Sequence, residues 1–261
     1  IRGTFAGYDM PMTFKNYNIG DNVRNIRQDY IGVFDISHMG VIKVRANNLE
    51  PVKSMLETIF PINMNVLKTN KSTLTILLDK KGYVQDDLII GNLKDEEYRL
   101  VVNAGTKYDI LSLLHKYNKE EFDIELENKS ILALQGSRSA TMMEDLFNID
   151  LSNTYFNDNI NTYENSEIEI SRTGYTGEDG FELYCNDEDA YDLYQHLIYK
   201  SKDCNEKILF AGLIERDILR IEAGLCLSGT EFGPEKEILY KDLNMNFLIG
   251  KRRRDEGGFI G

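Results

Sequence analysis

The sequence predicts an α+β fold, on three observations. Strand-like segments come in neighbouring pairs, helical faces lie between the pairs without strict strand–helix alternation, and glycine is the punctuation, with 20 Gly against 4 Pro in 261 residues. Strict alternation would build a doubly wound parallel sheet, whereas paired runs build an α+β arrangement. No Pro- or Ser-rich linker and no solenoid-length repeat interrupts the chain, so nothing cuts it cleanly into halves.

The strand signals are short alternations of apolar and polar residues. They fall at Ser72–Leu78, Asp87–Ile90, Tyr98–Val102, Glu167–Ile170 and Phe181–Tyr184. Lys80–Lys81–Gly82 reads as the hairpin turn between the first two. Helical spacing puts Val52, Met55, Leu56, Ile59 and Phe60 on one face after Pro51, a residue suited to a first helical position. Ile110, Leu111, Leu114 and Tyr117 make a second face, and Tyr191, Tyr194, Leu197 and Ile198 a third. Leu213–Glu222 has the spacing for another helix.

Composition excludes several classes of function. Thirty Lys and Arg against 43 Asp and Glu leave a net charge of −13, which repels a phosphate backbone, so nucleic-acid binding is not expected. No apolar run approaches the ~20 residues that cross a bilayer, so no membrane partner is expected either. Cys185, Cys204 and Cys226 are far apart, without C-x-x-C spacing and with only three His in the chain. Buried free thiols are the expectation, and no metal site.

Four segments can carry chemistry. In Gly174–Glu182, Gly174, Gly177 and Gly180 describe a tight turn between two strands, its backbone able to approach something closely. Read alone, it is a surface hairpin with a solvated acidic tip. Glu182 within the following strand can instead accept a pair of hydrogen bonds from a planar N–C–NH₂ edge, and Tyr175 can supply a stacking face. In Gly82–Ile90, Asp86 and Asp87 must point to opposite faces of a strand, so one is solvated and one faces inward. Parity alone does not choose between them, and a turn-capping pair is the plain alternative. Arg216, Asp217, Arg220 and Glu222 read as a helix laced by ion pairs, although Arg216 can anchor an anion. Lys251–Arg254 is a basic run in an acidic chain, either a solvated patch or a docking point for an acidic partner. Asp35, Ser37 and His38 lack the strand–turn–helix context of a nucleophile elbow, and a structural turn explains them better than a hydrolase triad.

Taken in order, these and further segments resemble the T-protein family of the glycine cleavage system, the aminomethyltransferases. The matching pieces include Phe5–Tyr8, Phe34–Met39, Asp86–Ile89, Val102–Ala104, Ala133–Gly136, Arg172–Gly180, Ala211–Leu213, Arg216–Asp217, Leu219–Leu225 and Gly250–Arg254, spread along nearly the whole chain. The resemblance implies a multi-domain cloverleaf around a folate channel, with a C-terminal β-rich domain absent from this chain. It implies a first domain at 1–45 and 128–215, a second at 46–127 and 216–255, and the start of a third at 256–261.

The activity so implied is transfer of the methylene of an aminomethyl group, carried on the lipoyl arm of H-protein, to tetrahydrofolate. The products are ammonia and 5,10-methylenetetrahydrofolate. Asp87 then matches the catalytic acid and becomes the inward member of its pair. Glu182 matches the carboxylate that holds the pterin amino edge, Arg216 a further substrate-binding residue, and Asn103, Tyr175 and Tyr155 the lining of the folate pocket. Tetrahydrofolate is the implied co-substrate and lipoylated H-protein the implied partner of a monomer. The Gly250–Arg254 run looks like the eukaryotic branch of the family, which implies the mitochondrial matrix. The alternative within the fold is a non-catalytic module that binds folate or H-protein. Cluster-maturation relatives carry a Lys-Gly-Cys-rich signature not found here, and oxidase relatives come with a flavin domain for which the chain has no room.

Overall fold

A computed structural model describes residues 1–14, 18–93, 97–119, 122–160, 168–203 and 207–261. From the N-terminus run β1 (Arg2–Phe5), β2 (Tyr8–Pro11), α1 (Ile19–Gln28), β3 (Ile31–Asp35), β4 (Gly40–Arg45), α2 (Leu49–Ile59) and β5 (Lys71–Leu78). Next come β6 (Val84–Asn92), β7 (Glu97–Val102), α3 (Lys107–Tyr117), β8 (Asp123–Glu127), β9 (Lys129–Gln135) and α4 (Ser139–Phe147). The rest is β10 (Asn159–Ile160), β11 (Glu169–Ser171), β12 (Gly180–Asn186), α5 (Ala190–Asp203), β13 (Ile208–Phe210), α6 (Leu213–Glu222) and α7 (Lys251–Glu256). The class is α+β. Of the residues flagged for strands, Glu167 lies outside the described residues, as does Cys204.

The chain divides into two compact units, one of residues 1–38 and 128–225, the other of 39–127 and 226–261. The boundaries differ from those implied by resemblance, for reasons of pairing and packing. Gly40–Arg45 forms both of its ladders with β7 and β8, so β4 belongs to the second unit. A cut at residue 215 would split α6, which packs whole against α1 of the first unit. Residues 256–261 pack on the second unit: the Ile260 N–H donates to the Thr58 carbonyl at 3.1 Å, and Phe259 packs beside Ile249 and Phe232.

In the first unit, a six-stranded sheet has the order β10-β11-β12-β9-β3-β13, antiparallel except for the β3–β13 pair. Its core sets Val33, Leu134, Phe181 and Leu183 against Met142 and Met143 of α4 and Leu193 and Leu197 of α5. The α5 face differs from its sequence reading. Leu193 and Leu197 are buried while Tyr191 is 69% exposed, because the buried stripe runs through Leu193, Leu197 and Ser201 and leaves 191 on the outer side.

In the second unit, a five-stranded antiparallel sheet has the order β5-β6-β7-β4-β8. Helix α2 starts from Asn48, whose side chain accepts from the Glu50 N–H, so Pro51 is the third helical residue and not the first. Pro51 is tolerated there because first-turn N–H groups have no intrahelical acceptor. Val52, Met55, Leu56 and Ile59 are buried as the spacing predicts, and burial of such side chains stabilises by roughly 1.5–3 kcal/mol each. That outweighs any weakness of propensity in the helix. A smaller cluster of Ile76, Leu78, Val84, Phe232, Met245 and Ile249 joins the β5–β6 hairpin to residues 232–249.

Candidate functional site

Within the second unit, the chemistry gathers where β6 begins. The β5–β6 register slips between Leu77 and Leu78, so that Leu78 pairs with Val84 but Leu77 with Asp86. The extra residue, Gln85, breaks the two-residue parity. Val84 joins Ile76 and Leu78 in one cluster, while Leu88 and Ile90 face the α2 core. Asp86 shares the parity of Leu88 and Ile90 and is wholly buried, whereas Asp87 pairs with Ile76 and keeps part of its surface accessible. The more deeply buried carboxylate is therefore Asp86, which keeps the face of Leu88 and Ile90, and not Asp87 as expected; the bulge turns Val84, not Asp86, to the other face.

The pair is tied together by Asn103. Its amide nitrogen donates to Asp86 Oδ1 at 2.8 Å, to Asp87 Oδ1 at 2.9 Å and to the Asp87 carbonyl at 3.0 Å. Asp86 also accepts from the hydroxyls of Thr106 and Ser228. Asp86 is thus supplied with three side-chain donors and Asp87 with one. Burial, and next the neighbouring Asp86 charge, push the Asp87 carboxyl up to about 7. Burial raises Asp86 as well, against the donors that hold it. A carboxyl poised near neutral pH beside a second, better-supplied carboxylate suits proton transfer. Thr106 and Ser228 carried no sequence signal, because neither belongs to a motif and both reach Asp86 only through the fold.

The first unit builds a different cluster around Glu182 on β12. Glu182 is 5% exposed, and its Oε2 accepts from Thr173 Oγ1 at 2.7 Å and from the Tyr184 hydroxyl at 2.8 Å. The Arg216 guanidinium of α6 lies 4.9 Å from the centre of the Tyr175 ring. Its Nη1 is buried without a hydrogen-bond partner among the described residues. Burial draws Arg216 below its ordinary pKa, against the favourable charges of Glu182 and Tyr175. Arg216 makes no ion pair among the described residues, contrary to the laced-helix reading. That pairing belongs to Asp217 and Arg220 at 2.8 Å, while Glu222 pairs with Arg27.

The α6 start that carries Arg216 is fixed by buried Glu215. Its carboxylate accepts from the Gly212 N–H at 3.0 Å, Thr13 Oγ1 at 2.8 Å and Asn22 Nδ2 at 2.9 Å. Three donors onto one buried carboxylate compensate the burial of its charge.

Residues 172–179 between β11 and β12 form a wide loop, not a tight turn. Arg172 closes its base with two bonds to Asp179, at 2.9 and 2.7 Å. The loop wraps Gln135, which donates to the Thr173 carbonyl at 3.0 Å and accepts from Thr176 Oγ1 at 2.8 Å. A Cβ at Gly174 would stand 1.9 Å from Gln135 Oε1, and one at Gly180 would stand 2.2 Å from Gln135 Nε2. These two glycines serve close packing within the fold, and the partner they approach is Gln135.

Tyr155 stands apart from this cluster in character. Its ring is 64% exposed on the connection between α4 and β10, and its backbone N–H donates to Asp158 Oδ2 at 3.0 Å. The basic run is also not a uniform patch. Arg253 is 5% exposed and donates to the Glu57 carbonyl at 2.5 Å, and Arg252 binds Glu57 and Asn63, which leaves Lys251 and Arg254 as its exposed members. Ser37 and His38 sit in a turn, with Ser37 Oγ accepting from the Ile131 N–H at 3.0 Å and His38 edge-on to Phe5 at 5.4 Å. Among the described residues no group of three or more His, Cys, Asp or Glu could hold a metal ion.

The chain is an α+β protein of two units interleaved in sequence, one with a coupled carboxylate pair and the other with a buried carboxylate and an arginine–tyrosine stack. The chain belongs to the GCVT N-terminal domain family, the family of the T-proteins, whose model matches residues 2–253. It is 37% identical to the mitochondrial aminomethyltransferase of Pisum sativum, over 98% of this chain and 62% of that protein. It is 33% identical to the probable mitochondrial aminomethyltransferase of Schizosaccharomyces pombe, over 98% of this chain and 65% of that one. The chain thus spans less than two thirds of the length of these relatives. A solved structure of the glycine cleavage system aminomethyltransferase T of Bartonella henselae superposes with a TM-score of 0.89 at 30% identity, over all of this chain and 68% of the other.

Proposed function

We propose that this protein is a tetrahydrofolate-dependent aminomethyltransferase. It takes the aminomethyl group borne by the lipoyl thiol of H-protein and forms 5,10-methylenetetrahydrofolate, ammonia and the free thiol. The observation that carries the reading is the Asp86–Asp87 pair, in which Asn103 and the α3 start supply donors to one carboxylate and its neighbour is pushed up to about 7. The names borne by the relatives of Pisum, Schizosaccharomyces and Bartonella support it.

The chemistry needs such a group. Folate N5 and then N10 must bond to the methylene carbon while the carbon–nitrogen bond to ammonia and the carbon–sulfur bond break. The two N–H protons of folate end on the departing ammonia and thiol. Asp87 orients the attacking amine, stabilises the cationic carbon and relays a proton, work for which a pKa near 7 is well matched. Asn103 acts chiefly through the pair, since its amide nitrogen is committed to both carboxylates.

Binding falls to the first unit. Glu182, held by Thr173 and Tyr184 through one oxygen, accepts the amino edge of the pterin. Tyr175 and Arg216 offer a ring face and a cation, and the unpartnered Arg216 Nη1 donates to the folate. Tyr155, being exposed, contributes at most a peripheral contact. The compartment that accompanies this reading is the mitochondrial matrix, supported by the two eukaryotic relatives and checked by fractionation of the source cells. The test of function is to supply tetrahydrofolate and aminomethylated H-protein and to measure ammonia. Release at a rate set by the protein supports transfer, and folate binding without release would leave a non-catalytic module.

A further inference from the structure

The geometry points to Arg27 as a positioning residue that sets the Tyr175–Arg216 stack, by locking the loop that bears the tyrosine onto the helix that bears the arginine. The inference rests on the proposed folate-binding role of that stack. Arg27 projects from the last turn of α1 and is one-quarter exposed. Toward the loop, its Nη1 donates to the Thr176 carbonyl at 3.2 Å and to Glu178 Oε1 at 2.7 Å. Toward α6, its Nε donates to Glu222 Oε2 at 2.7 Å and its Nη2 to the Leu219 carbonyl at 3.1 Å.

Thr176 follows Tyr175 directly, and Leu219 lies three residues beyond Arg216, about one turn of the same helix. One planar guanidinium therefore spans the two segments whose side chains meet 4.9 Å apart. No carboxylate on the loop bonds directly to α6 in its place: Glu178 and Glu222 are both acids and would repel without the cation between them. The fork geometry matters as much as the charge, because four bonds in one plane to two carbonyls and two carboxylates match a guanidinium and not an ammonium. The remaining loop anchors, Arg172 to Asp179 and Gln135 to Thr173 and Thr176, fix the loop to its own sheet and do not touch α6.

The chain contains no Trp, so Tyr175→Trp supplies a single tryptophan at the stack, excited at wavelengths where the tyrosines do not absorb. Arg27→Lys in that background is expected to shift the emission to longer wavelength, as the ring leaves the guanidinium for water, while Lys251→Ala in the same background leaves it unchanged. In a double-mutant cycle, Arg27→Lys should weaken tetrahydrofolate binding about tenfold when Tyr175 is present and hardly at all beside Tyr175→Ala, the non-additivity of residues acting through one another. Equal losses in both backgrounds would mean general destabilisation and overturn the inference. So would unchanged emission together with unchanged affinity. If the unsubstituted chain binds no tetrahydrofolate, the proposed function fails on that result, and the emission shift alone then decides whether Arg27 positions the stack.

Discussion

Asn103 Nδ2 lies 2.9 Å from Asp87 Oδ1, and this is the sole side-chain donor that Asp87 receives among the described residues. One donor does not offset burial beside a second carboxylate, which is why Asp87 is pushed up to about 7, while in its neighbour three donors work against the rise that burial causes.

That imbalance sets a pH dependence of stability. A carboxyl whose pKa is raised on folding binds its proton more tightly in the folded state. It is neutral in both states below the unfolded value near 4, and ionisation destabilises the fold progressively between pH 4 and 7. The penalty is complete above 7. Asp87→Asn is therefore expected to unfold at a higher temperature than the unsubstituted chain at pH 8, by up to roughly 4 kcal/mol at 1.36 kcal/mol per pKa unit, and to lose that advantage at pH 4. Thermal denaturation at the two pH values checks it, and an advantage independent of pH would count against the assignment.

Glu182→Ala removes the acceptor from the first unit and leaves the Thr173 and Tyr184 hydroxyls without their carboxylate. Hydrogen bonds to a charged group contribute about 1.5–3 kcal/mol, so tetrahydrofolate binding is expected to weaken on the order of tenfold to a hundredfold. Titration calorimetry measures it, with Glu182→Gln, which keeps one acceptor, expected between the two.

Gly180→Ala should destabilise the protein by about 1–3 kcal/mol, the range for forcing atoms into a packed interior. The new Cβ would meet both the Gln135 amide and, at 2.7 Å, the Leu134 carbonyl, and backbone cannot swing aside as a free side chain would. Denaturant unfolding is the measurement, and an unchanged midpoint would show that β9 and the loop yield.

The basic run separates into buried and exposed members, and substitution should follow that division. Arg253→Ala strips a guanidinium from Glu57 and from the face of Phe259 and is expected to lower the unfolding midpoint. Lys251→Ala, at 83% side-chain exposure and paired with nearby Asp255, should change stability by less than about 0.5 kcal/mol. If H-protein docks on this run, Lys251 and Arg254 are the residues whose loss weakens it.

Much of the architecture was legible because it rests on local periodicity. The buried face of α2 follows from Val52, Met55, Leu56 and Ile59 alone, and the β5–β6 hairpin from its alternation and the Gly82 turn. The α5 stripe was misplaced because Tyr191 fits helical spacing as well as Leu193 does, and only packing distinguishes them. Of the candidate residues, Glu182 and Tyr175 stood out beside a glycine-rich segment, whereas Asp87 was one of an undecided strand pair and Arg216 one of several charged helix residues, and it was resemblance that singled them out. Which of the two aspartates is buried was not legible, because both faces of β6 are covered, one by the cluster of Leu88 and Ile90 and the other by that of Ile76 and Val84, and alternation alone does not say which face is the deeper. Arg27 was invisible for another reason: its partners lie 149 to 195 residues away along the chain, and nothing local marks an arginine in an amphipathic helix as a clamp.

The chemistry assigned to Asp87 is tested most directly by single-turnover ammonia release from aminomethylated H-protein, comparing the unsubstituted chain with Asp87→Asn at folate concentrations that saturate each. Loss of a positioned proton-transfer group slows a reaction by roughly a hundredfold to ten-thousandfold. Release slowed by that order with tetrahydrofolate affinity nearly unchanged is the expected result, and release at close to the unsubstituted rate would contradict it.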